Sequence, residues 1–132
     1  MRADFFDTNI VLYLLDDGPK ADIAAGLLAN GGAISVQVLN EALVNCIRKA
    51  GMSWQEAGIF LGGLRQLCEV IDLSAGIHDV GLALGERYGF SVYDAMIVSA
   101  ALTGGCERLY TEDLQHGQLI EGRLRIVNPF RE

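Results

Sequence analysis

Residues 2–12 read Arg2-Ala3-Asp4-Phe5-Phe6-Asp7-Thr8-Asn9-Ile10-Val11-Leu12, and the fold turns on how they are parsed. A short apolar strand runs into Asp7, and a Leu- and Val-rich helix follows Thr8 and Asn9. That parse sets Asp7 at the carboxyl end of a buried strand. In open α/β sheets this edge is where ligands bind, in the crevice where the strand order reverses. Asp followed by Thr and Asn is equally the cap of an ordinary helix. The stretch alone therefore leaves a binding carboxylate and a structural one both open.

Working outward, strands keep alternating with helices. A short helix from Ile10 to Leu15 stops at Asp16-Asp17-Gly18-Pro19, a dense cluster of turn formers. Ala21 to Leu28 is a second helix, and Ala33 to Val36 a compact strand. From about Gln37, Val38, Leu39, Ala42, Leu43, Cys46 and Ile47 recur at helical spacing, with Glu41 on that helix. Ser53-Trp54-Gln55-Glu56 is a capping box opening a helix to about Gln66. Val70 to Leu73 is the next strand, and Ser74 caps a helix to about Tyr88. Gly89 to Asp94 leads into Ala95 to Thr103, apolar nearly all round and hence a helix enclosed on most sides. Arg108-Leu109-Tyr110 is a strand followed at once by Thr111-Glu112-Asp113. A polar, Gly-containing loop from Leu114 to Gly122 precedes a last strand, Leu124 to Val127. The alternation predicts an α/β fold, a parallel sheet with right-handed crossovers covered on both faces.

The 132 residues, 51% hydrophobic, make one domain spanning 1–132. A net charge of -7 excludes a protein that grips nucleic acid with a broad basic face, which needs clustered Lys and Arg. Any nucleic-acid contact must be local or metal-mediated. Cys46, Cys68 and Cys106 are odd in number, widely spaced and set among apolar residues. They read as buried thiols in a reducing compartment, with neither a disulfide framework nor a zinc site. Asp4 and Asp7 come too early for a signal peptide, and no apolar run approaches the roughly 20 residues of a membrane span. A soluble, cytoplasmic protein without a membrane partner is expected.

A parallel sheet directs its strand ends to one rim. Asp7 and Asp113 end two strands, Glu41 follows another, and Asp94 opens the most buried helix. If the first and fourth strands are neighbours, the four carboxylates converge. Two like charges about 4 Å apart repel by roughly 4 kcal/mol at an effective dielectric of 20. Such crowding of hard oxygen donors calls for a divalent ion, Mg²⁺ or Mn²⁺. The chemistry it suits is phosphoryl transfer by metal-activated water, with no side-chain nucleophile. Each acid also has an ordinary reading: Glu41 as a solvated helix residue, Asp94 as completing the Ser91 cap, Asp113 as a loop acid. His78 and His116 have no partner at ligand spacing and read as surface and loop residues.

Asp7-Thr8-Asn9 after a first strand, Glu41 in an early helix, Tyr93-Asp94-Ala95 opening an apolar helix, and Leu109-Tyr110-Thr111-Glu112-Asp113-Leu114 near the end together resemble the PIN-domain nucleases. The likeness covers essentially the whole chain and is greatest to the VapC-type toxins of bacterial toxin-antitoxin pairs. It implies a three-layer α/β/α fold with a five-stranded parallel sheet of order 3-2-1-4-5, and Mg²⁺- or Mn²⁺-dependent endoribonuclease activity. It further implies Asp7, Glu41, Asp94 and Asp113 as the acidic, metal-holding set, with Thr8, Asn9 and Thr111 orienting ligands or waters beside it. Glu112 adjoins Asp113; the Thr-x-Asp spacing from Thr111 favours Asp113 as the fourth acid. The resemblance also implies an RNA substrate, a homodimer and an antitoxin, often one that pushes an Arg into the acidic pocket, where a guanidinium pairs bidentately with carboxylates.

Two other acidic-pocket folds fit less well. A receiver domain needs a Lys after its fifth strand, and the chain has only Lys20 and Lys49. A haloacid-dehalogenase-like phosphatase needs Asp-x-Asp, and Asn9 holds the second position. A PIN-like binding or assembly module with a metal site too weak for turnover is the remaining alternative, because fold does not settle activity.

Overall fold

The computed structural model describes residues 3–131; Met1, Glu132 and the Arg2 that opens the quoted stretch lie outside the described residues. β1 (Asp4–Phe6) passes through Asp7 into α1 (Thr8–Leu12), which tightens into a 3-10 turn at Tyr13–Leu15. α2 (Pro19–Ala29), β2 (Gly32–Ser35), α3 (Val36–Arg48), α4 (Trp54–Leu67), β3 (Cys68–Ile71), α5 (Ala75–Tyr88) and α6 (Val92–Thr103) follow. β4 (Arg108–Tyr110), β5 (Leu119–Ile120) and β6 (Leu124–Val127) complete the order. Helix starts obey local chemistry: Ser35, Ser53, Ser74 and Ser91 each accept an amide of the following turn. Ser53 and Glu56 form the full capping box that the sequence predicts.

The sheet order is β3-β2-β1-β4-β6-β5. β1 lies between β2 and β4 in parallel, with Phe6 opposite Tyr110, so the first and fourth strands are neighbours as the convergence of acids requires. β1 is buried on both sides, since Phe5 and Phe6 point to opposite faces and both are fully enclosed. The helices therefore cover both faces, and the three-layer expectation holds. α6, predicted to be enclosed, buries Ala95 and every residue from Ile97 to Leu102. The three cysteines are buried and form no disulfide, and none of the described helices is long and apolar enough to cross a membrane.

The expected order 3-2-1-4-5 is corrected at one edge. The stretch read as a loop from Leu114 to Gly122 contains β5, which pairs antiparallel with β6, so the sheet has six strands and is not wholly parallel. A strand of two residues is too short to show an alternating pattern. Its hairpin turn places Glu121 (φ 52) and Gly122 (φ 66) in the left-handed region, where Asn-Gly or Asp-Gly is the readable signal and Glu-Gly is not. Boundaries move by a few residues elsewhere: β2 and β3 begin earlier than expected, and α6 starts at Val92 rather than Ala95. Glycine is required at residue 32, with φ 152: a Cβ there would lie 2.6 Å from the Phe6 ring and 2.7 Å from the Asp4 carbonyl.

Candidate functional site

Parallel pairing sets Asp7 and Thr111 side by side, one residue past the ends of β1 and β4. The Asp7 amide donates to the Tyr110 carbonyl at 3.0 Å, and the Thr111 amide to that of Val127 at 3.0 Å. Asp7 is 5% exposed. It is the cap of α1, accepting the Thr8 amide at 2.7 Å, and its second oxygen accepts the Thr111 hydroxyl at 2.8 Å. The capping reading is thus correct, yet it leaves open about half of the roughly four lone-pair sites of a carboxylate. Burial pushes the Asp7 pKa from 3.8 up to about 6; the hydrogen bonds from Thr111 and Thr8 pull against that rise, and the negative charges of Asp113 and Asp94 add to it.

Glu41 and Asp113 accept from neutral donors. Glu41, on α3, accepts the Thr8 hydroxyl at 2.6 Å and the Gln37 amide at 3.5 Å. Asp113 accepts the Asn9 amide at 2.8 Å, while its own backbone amide donates to the Thr111 hydroxyl at 3.1 Å. Asp94 lies in the first turn of α6, where Ser91 accepts its amide at 3.3 Å; its carboxylate gains there from the helix dipole. All four acids line one cleft of about 890 Å³, together with Thr8 and Asn9. No Lys or Arg is among the described residues lining it.

The cleft has the acidic character and the position, at the carboxyl edge of β1 and β4, expected for a site at the strand ends. A model of the PIN domain matches residues 5–119. The chain belongs to the PIN domain family. Solved structures similar to this PIN domain include a toxin-antitoxin complex from Klebsiella pneumoniae, with a TM-score of 0.75 at 23% identity, covering 98% of this chain and 99% of the other. Another is the sarcin-ricin-loop-cleaving toxin VapC20 of Mycobacterium tuberculosis (TM-score 0.67, 20% identity, 83% and 89% covered). A third is the DNA-bound VapBC of Salmonella typhimurium (TM-score 0.70, 21% identity, 96% and 98% covered). At these identities the likeness is one of fold. No curated protein sequence matches the chain.

Within this PIN domain the acids share a cleft without sharing one ligand sphere. Among the described residues, no group of three or more His, Cys, Asp or Glu side chains stands, as placed, in an arrangement that holds a metal ion. The donor set nonetheless fits a hard divalent ion. It consists of oxygen ligands beside a buried carboxylate, with no lining cation to balance them. Asn9 Oδ1 is buried with no hydrogen-bond partner, a further oxygen that an ion or its water would satisfy.

Glu112 is placed elsewhere. It accepts the Tyr13 hydroxyl at 2.7 Å and pairs with Lys20 at 3.3 Å, while Lys20 lies over the Tyr13 and Phe130 rings. Of the two adjacent acids only Asp113 lines the cleft. His116 accepts the Asn128 amide at 3.0 Å and is a loop residue as read; His78 is exposed, and it lines the cleft. The sequence reading missed Gln37, whose amide also donates to the Tyr93 carbonyl at 3.1 Å. Its signal was the four-residue spacing to Glu41, which places both on one face of α3.

Proposed function

We propose that this PIN domain is a divalent-metal-dependent endoribonuclease, the toxin of a toxin-antitoxin pair, with Asp7, Glu41, Asp94 and Asp113 holding Mg²⁺ or Mn²⁺. The observation that carries the reading is Asp7: a carboxylate 5% exposed, facing neutral donors and other acids in a cleft with no described lining cation. A buried charge left without an opposite charge is costly, and sites that keep one are functional more often than structural. A bound divalent ion supplies an activated water and a positive charge for the scissile phosphate. The chain's own residues would do the rest. Thr111 and the Thr8 amide fix the Asp7 rotamer, the Thr8 hydroxyl and Gln37 orient Glu41, and Asn9 aims Asp113.

The toxin half of the reading is supported by the fold shared with structures described as toxin-antitoxin and VapBC complexes. A protein antitoxin is the partner this suggests, with a basic segment suited to the acidic cleft, and the domain acts as a homodimer. The alternative, a binding or assembly module without turnover, draws on the spacing of the acids, which as placed do not form a ready ligand set. One experiment separates the two. RNA is incubated with the protein in Mn²⁺ or Mg²⁺ and in EDTA, with Asp113→Ala alongside. Metal-dependent cleavage lost in Asp113→Ala is expected; equal products with metal and with EDTA, or none in either, reject the nuclease.

A further inference from the structure

The cleft has a second wall that the acids do not use. Val44, Leu73, Val92 and Tyr93 all line it, and they stay 50, 47, 67 and 69% exposed, with Ile77 and Met96 lining the same cleft. Large apolar side chains gathered along one cleft, rather than scattered, mark a surface that something covers. Tyr93 is the aromatic residue among those described as lining the cleft. Its backbone is tied to the acids. It precedes Asp94 in the first turn of α6, and Gln37 bridges its carbonyl, at 3.1 Å, to the Glu41 carboxylate, at 3.5 Å. The backbone that carries the ring is therefore tied to the acidic side of the cleft.

What this wall can hold follows from its chemistry. With no Lys or Arg among its described lining residues and a chain charge of -7, it cannot grip a phosphate backbone by charge. It offers neutral apolar side chains and one tyrosine ring. An unpaired nucleobase is the part of a nucleic acid that matches, because every base presents a π-face to an aromatic ring and a base inside a duplex does not. We propose that Tyr93 is the stacking platform for an unpaired base adjoining the phosphodiester presented to the acids, so that substrate is held by a base more than by backbone charge. The ligand class rests on the nuclease reading above. Tyr93 is then a substrate-binding residue, and the exposed His78 a further polar group lining the same cleft.

The test uses a short labelled single-stranded RNA of mixed sequence and an abasic ribose-phosphate oligomer of equal length. Binding is read by fluorescence anisotropy in Ca²⁺, and cleavage kinetics of the RNA in Mn²⁺. Wild type binds the base-bearing RNA about tenfold or more tighter than the abasic oligomer, in line with the strength of base-aromatic stacking. Tyr93→Ala removes that margin, Tyr93→Trp keeps it, and in cleavage Tyr93→Ala raises KM by about the same factor while changing kcat much less. An unchanged melting temperature shows that the exposed ring was removed without unfolding. A wild type that shows the margin but cleaves nothing in Mn²⁺ ends the nuclease reading and leaves the base subsite standing. No margin in wild type overturns the proposal. So does Tyr93→Ala binding both oligomers as wild type does, which is the result if the wall serves a protein segment, or weakening on both equally.

Discussion

Asp4 opens β1 and Asp7 follows its last residue, and each meets a partner from beside it, Arg108 in β4 and Thr111 just past it, yet the two ends of the strand pair differ in kind. At the amino end Asp4 meets Arg108, its carboxylate 2.6 Å from Nε. At the carboxyl end Asp7 meets the Thr111 hydroxyl and the charges of Asp94 and Asp113. The more exposed acid has a cation, and the more buried one does without. Glu112 and Asp113 divide by charge alone: Glu112 is paired with Lys20 and Tyr13, while Asp113, though the more exposed of the two, lines the cleft without a cation. A carboxylate whose charge is already matched has a structural task. One kept buried and unmatched is a standing cost that a structural role does not explain.

The comparison breaks most visibly in activity. Asp7→Asn should lower kcat/KM for RNA cleavage by more than about a hundredfold, an effect of about 3 kcal/mol or more. Asp4→Asn should leave it within about threefold and cost about 0.5–1 kcal/mol of stability, as the Arg108 side chain is partly solvated. Equal losses of kcat/KM in the two variants would erase the distinction.

The next largest effect is on stability without metal. The Asp7 pKa is raised on folding, from 3.8 to about 6, so the folded state holds this proton more tightly. The resulting stabilisation is full below about pH 4 and is lost as pH rises through 6, by up to ~3 kcal/mol for a shift of this size. In EDTA, urea melts should show Asp7→Asn overtaking wild type between pH 4 and pH 7. A wild type that stays the more stable protein throughout would mean that the buried charge is matched after all.

A smaller effect, about 1–3 kcal/mol, is expected from mass action: Mn²⁺ well above its dissociation constant should raise the melting temperature of wild type. Asp94→Ala should lose most of that shift. An equal shift in both would place the ion away from this cleft. Smallest is Lys20→Met, which frees Glu112. It should move the melting temperature by no more than about 3 °C and leave cleavage within about threefold; a large loss of cleavage would make Glu112 part of the site.

Much of this was legible locally. The capping box at Ser53 and Glu56, the enclosed character of α6 and the strand running into Asp7 all follow from patterns within one turn or one strand. What stayed hidden depends on residues far apart in the chain. Gln37 reaches Tyr93 across 56 residues, and Asn9 reaches Asp113 across 104. β5 was missed because two residues carry no period; the spacing to Thr111 favours Asp113 over Glu112, but the Lys20 and Tyr13 partners of Glu112 come from distant residues and could not be read.

By itself the sequence determined the α/β alternation, the acids at the strand ends and the helix starts, because propensity, capping and hydrophobic period act over a few residues. Only the tertiary structure decided which acids share the cleft, which one is tied off by Lys20, and that an exposed tyrosine lines the same cleft as the carboxylates. Those outcomes depend on strand pairing and on the burial it imposes, and burial is what turns Asp7 from an ordinary cap into a charge in want of a partner.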